Sequence, residues 1–151
     1  MSSQTVWVHE DAMRREHPVF RAAGDAARVI FIWDDAYLRA QGWTLKRLMF
    51  IYECACAMGA EVLRGDTLAV LQGLGTERVY MAESLNPFVH TVAEGLRAGG
   101  IQVTTVAEEP FVVLRKGGEL GRFFRYWSRA QRSAMQPDAG QTRGNLFGQD
   151  G

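Results

Sequence analysis

The sequence predicts a Rossmann-like α/β fold, a doubly wound five-stranded parallel sheet in the order 3-2-1-4-5 with helices on both faces. Three observations carry this. Short β-rich runs alternate with helical patterns along the chain, as repeated βαβ units require. The run Val29–Ile32 is apolar without alternation, the pattern of a strand covered on both faces. Proline and glycine fall between these segments, Pro18 and Pro87 as helix starts and Gly24, Gly59, Gly99 and Gly100 as stops.

Taken in order, Thr5–His9 is the first strand, and Pro18 opens a helix that ends near Gly24. Arg28–Trp33 is the second strand. Thr44 caps a long helix running to about Gly59. Glu61–Leu63 is a short third strand, followed by a helix over Thr67–Gly73. Arg78–Ala82 is the fourth strand, Pro87–Gly99 a helix, and Ile101–Val106 the fifth strand. Gly121–Met135 reads as a final amphipathic helix, so the domain is placed at residues 1–135. From Gln136 the chain is rich in Gly, Gln, Asp and Asn and is expected to be a disordered tail.

Composition excludes several classes. The 17 basic and 17 acidic residues cancel, so no global field concentrates nucleic acid or anionic lipid. No apolar run is long enough to span a bilayer, and the N-terminus lacks a signal-peptide pattern, which predicts a cytoplasmic protein. Cys54 and Cys56, two apart on a helix, point in different directions and are read as small packing residues. Gly-rich phosphate loops and the G-x-S-x-G elbow are missing. His9, His17 and His90 lack metal-ligand spacing; His17 reads as a helix-start residue and His90 as a surface residue.

Parallel α/β sheets bind ligands beyond the carboxyl ends of their strands. That rule selects the loops at His9, Glu10 and Asp11, at Trp33, Asp34 and Asp35, and from Glu83 to Asn86. On the long helix, Leu45, Leu48, Met49, Tyr52, Ala55 and Cys56 form one apolar face, and Ile51, Cys54 and Met58 extend it around the far side. Arg47 falls among apolar positions in the first turn, where the helix dipole disfavours a cation. Asp34, Asp35 or an acidic ligand group would compensate it. The expected site is therefore a shared hollow of Trp33, Asp34, Asp35 and Arg47. An acid–base enzyme built on Asp34, Asp35 or Glu83 is disfavoured because neither a nucleophile nor a metal set pairs with them.

The motifs together resemble the N-terminal α/β domain of the DNA photolyase and cryptochrome family, over roughly Thr5 to Arg132. "VWVHEDAMRREHPVF" is similar to the family's opening W-F-R-x-D-L-R-x-x-D-N-P-A-L through Trp7, Asp11 and Pro18. "VIFIWDDAYL" is similar to V-F-I-W-D-P-x-x-L, "RLMFIYE" to R-L-R-F-L-x-E, and "VLRGDTLAVL" to V-x-R-G-D-P-x-x-V-L. "FFRYWSRAQR" resembles the hand-over to the family's helical domain. His9 and Met13 stand where the family has arginines. The flavin-bearing helical domain has no counterpart in these residues, so no photolyase activity is expected of them alone.

The resemblance implies a non-catalytic module that holds an antenna-type chromophore (flavin, deazaflavin, lumazine or folate) or a nucleotide. His9, Glu10, Asp11, Trp33, Asp34, Asp35, Arg47, Phe50 and Glu83 would border it, with Trp33 and Phe50 stacking and the charged groups placed around them. The alternative is an interaction module. Arg122, Arg125, Arg129 and Arg132 form a basic stripe beside Phe123 and Trp127, a docking face for a homodimer or a separate protein partner. Four arginines alone would bind DNA only weakly.

Overall fold

Five short runs of β-branched and aromatic residues become five parallel strands. In the computed structural model of the protein they are β1 (Gln4–Val8), β2 (Arg28–Trp33), β3 (Glu61–Arg64), β4 (Arg78–Ala82) and β5 (Gln102–Val106), ordered β3-β2-β1-β4-β5. The structure describes residues 3–110. One unit comprises Met1–Glu108 and a second Glu109–Gly151. The predicted helix over 121–135, with Arg122, Arg125, Trp127 and Arg129, and the tail beyond it lie outside the described residues.

Five helices connect the strands: α1 (Pro18–Ala23), α2 (Asp35–Ala40), α3 (Leu45–Ala57), α4 (Thr67–Gly73) and α5 (Pro87–Ala98). Each start has a cap visible in the sequence. Thr44 accepts from the Arg47 N–H, Asp66 from Ala69 and Asn86 from Phe88. His17 Nδ1 accepts the Val19 N–H at 3.1 Å, ahead of Pro18 in the first turn. Gly59 takes φ +70° at the end of α3, a conformation that costs glycine little.

Strand alternation divides the core into two layers. Trp7, Ile30, Ile32, Val79 and Met81 face one side, against Leu71 of α4 and Val89, Val92, Ala93 and Leu96 of α5. Val6, Val8 and Tyr80 face the other, with Val19 and Ala23 of α1 and with Met58. Phe31 on that second side packs on Ile51 and Ala55 of α3. Each fully buried aliphatic side chain here contributes about 1.5–3 kcal/mol.

The predicted architecture and order hold, and four local expectations are corrected. The first strand ends at Val8, so His9 begins the following turn. Asp34 and Asp35 do not sit in an open loop: α2 begins there, unpredicted because its six residues carry little periodicity. The helix α3 turns a different face to the sheet. Ile51, Ala55 and Met58 are buried, whereas Leu45, Met49, Phe50 and Tyr52 are exposed. Apolar residues nearly encircle this helix, so periodicity alone did not fix which of two arcs the sheet would take. Cys54 is half-buried and Cys56 exposed, so Cys56 is not a packing residue.

Candidate functional site

Trp33 is the last residue of β2 and is in register with Arg64, the last of β3. Period-two alternation sends its indole to the same side as Phe31, towards α3. There it meets Phe31 edge-on at 6.5 Å and Tyr52 at 6.1 Å. Trp33 and Val62 form the floor of a groove of about 480 Å³. Leu45, Leu48, Met49 and Tyr52 of α3 form its wall, and Glu53 and Arg64 stand at the rim. The groove exists because α3 lies down on the sheet mainly through Ile51 and Ala55, its buried residues. The adjacent arc of the helix is left standing over the carboxyl ends of β2 and β3.

Asp34, the next residue, is extended and points the other way. Its carboxylate is buried and fully used. Oδ1 accepts the Tyr37 N–H at 3.1 Å, capping α2; Oδ2 accepts the Thr67 N–H at 2.9 Å and the Thr67 hydroxyl at 3.0 Å. Burial pushes its pKa up, but the hydrogen bonds from Thr67 and Tyr37 outweigh burial and hold it below the ordinary carboxylate range. Asp35 stays at the surface. Arg64 donates to its Oδ2 through Nε at 3.0 Å and Nη2 at 2.6 Å. That pairing is the main cause of a lowered pKa at Asp35, with a smaller contribution from the Trp33 indole.

The four residues expected in one hollow are thus separated. Trp33 and Asp35 meet around Arg64, while Asp34 is spent on capping. Arg47 lies with its guanidinium over the Trp43 ring, 4.6 Å from the centroid. An aromatic face, not a carboxylate, compensates its position in the first turn. Phe50 is exposed and does not line the groove.

The loops after β1 and β4 do come together, at the point where the sheet's strand order reverses. Asn86 donates through Nδ2 to the Tyr37 hydroxyl at 2.8 Å, and Tyr37 donates to Glu10. Ser84 donates to Asp11 and accepts the Asn86 N–H at 3.0 Å. Tyr37 stacks on Phe88 at 3.8 Å, and its pKa is raised by burial and then by the Glu10 carboxylate. This network satisfies itself, so it reads as a clasp between two loops. His9, expected in a solvated loop, is buried; its Nε2 lies 3.1 Å from the Ala82 carbonyl and its ring packs edge-on against Trp7. Its Nδ1 is 4.0 Å from Asp11 Oδ2. Glu83 is exposed, and its backbone N–H donates to Val106.

His17 is the buried helix cap and His90 is exposed, both as predicted. Among the described residues no group of three His, Cys, Asp or Glu side chains could hold a metal ion, and no helix is long and apolar enough to cross a membrane. Tyr37 and Tyr52 were missed in the sequence. Tyr37 belongs to the unpredicted α2, and Tyr52 was assigned to the core face. No family model and no curated protein matches the chain.

Proposed function

We propose that this chain is a non-catalytic photolyase-like α/β module that binds a planar aromatic molecule, of the flavin, deazaflavin, lumazine or folate kind or a nucleotide base, in the groove under α3. The observation that carries this is the groove itself. Its volume falls within the range of small-molecule sites, about 300–1,000 Å³, and it pairs aromatic surfaces from Trp33 and Tyr52 with one carboxylate and one guanidinium at the rim. A flat ring would slide between the indole and the α3 wall. Its polar edge would meet Glu53 or Arg64. The photolyase-like character rests on the ordered sequence motifs; of the residues that the resemblance sets around a chromophore, Trp33 alone lines the groove.

No catalytic residue is assigned. Four carboxylates near the sheet edge are engaged: Asp34 in capping, Asp35 with Arg64, Glu10 and Asp11 with Tyr37 and Ser84. The test is an absorption spectrum of the full chain as purified, followed by thermal unfolding with each ligand class added. A visible or near-ultraviolet band beyond that of tryptophan, or a rise in melting temperature with one class, is expected. A protein that is colourless and indifferent to every class overturns the reading.

A further inference from the structure

The outer face of α3 shares Met49 and Glu53 with the groove and has its own pattern. Lys46, Met49, Phe50 and Glu53 follow i, i+3, i+4, i+7 spacing and share the side of the helix opposite Ile51 and Ala55. All four are exposed, with Phe50 64% exposed and Met49 54%. Large apolar side chains so placed are uncommon on a surface that meets only water. Neither Lys46 nor Glu53 has an ion pair among the described residues.

We infer that this face pairs with the same face of a second copy of the chain, α3 against α3 in antiparallel fashion about a two-fold axis between Met49 and Phe50. Charge complementarity selects that occupant. Lys46 and Glu53 are seven residues apart, two helical turns, so they lie on one line about 10 Å apart along the axis. They flank the apolar centre symmetrically. Reversing the second helix sets each Lys46 opposite the partner's Glu53 and each Met49 beside the partner's Phe50. The resulting surface is self-complementary, as an isologous interface must be. A parallel pair would set Lys46 on Lys46 and Glu53 on Glu53, and would align the two helix dipoles unfavourably. One helix pair covers less than the roughly 1,200 Å² of a standard interface, so the dimer is weak and depends on concentration.

Lys46 and Phe50 do not line the groove while Met49 and Glu53 do, so the single variants at Lys46 and Phe50 test the inference independently of ligand binding. The experiment is sedimentation velocity on the full chain across low to high micromolar concentration, with circular dichroism to establish folding. The wild type moves from monomer towards dimer as concentration rises, and added salt weakens the association. Phe50→Glu stays folded and monomeric. Lys46→Glu raises the dissociation constant by about tenfold or more, and adding Glu53→Lys to it restores the wild-type constant. A monomer at all concentrations, a dimer indifferent to Phe50→Glu, or failure of the charge exchange to restore association overturns the inference.

Discussion

Asp34 and Thr67 are joined twice: one carboxylate oxygen accepts both the backbone N–H of Thr67, at 2.9 Å, and its hydroxyl, at 3.0 Å. Through the other oxygen the same carboxylate caps α2 at Tyr37. One buried side chain therefore fixes the starts of α2 and α4 on the end of β2. Replacing it by alanine leaves three donors unsatisfied. Asp34→Ala is expected to cost about 2–4 kcal/mol of folding free energy, measured by urea unfolding. A loss below the cost of a single exposed cap would show that the three bonds are not made together.

The same carboxylate sets an acid limit. Its folded pKa lies below the ordinary value, so the stability it contributes is complete above about pH 4, the unfolded value, and is lost as pH falls through the folded pKa. Asp34→Asn removes the titration and should flatten that limb of the stability curve, at the cost of a lower plateau.

Much of this was legible in the sequence, and the failures have physical reasons. The strands and the cap at Thr44 follow from local patterns that tertiary packing reinforces. Asp34 reads in the sequence as a pocket wall, and composition does not distinguish that role from a helix cap; the partner that decides, Thr67, is 33 residues away. Arg47 needed a compensating group, but an aromatic ring four residues earlier serves as well as a carboxylate. In α3 a nearly continuous apolar surface hid both the groove wall and the outer face.

His17 gives a second pH dependence, in a different range. Burial lowers its pKa, and only the neutral ring can accept the Val19 N–H through Nδ1. The cap therefore contributes fully above about pH 6.5, the unfolded value, and is lost as pH falls through the lower folded pKa. His17→Asn keeps an acceptor at the cap and should abolish the decline of melting temperature as pH falls below about 6.5. An unchanged decline would assign it to another group.

Tyr37 tests the clasp between the loops. Tyr37→Phe keeps the stacking on Phe88 and removes the hydroxyl shared by Glu10 and Asn86. The expected loss is about 1 kcal/mol. Because the folded phenol is raised, its contribution is complete below about pH 10, the unfolded value, and is lost as pH rises from there through the folded value. Near-ultraviolet absorbance should show one fewer tyrosine resisting ionisation in Tyr37→Phe than in the wild type.

The groove under α3 is the centre of the account, and titration calorimetry tests it most directly. Riboflavin, a deazaflavin, a lumazine, a folate and a nucleotide are each titrated into the full chain and into Tyr52→Ala, which removes one aromatic wall at an exposed position. At least one ligand is expected to bind with one-to-one stoichiometry and to lose about tenfold in affinity, near 1.4 kcal/mol, in the variant. Binding of none of them, or binding that Tyr52→Ala leaves unchanged, contradicts the assignment of the groove as the ligand site.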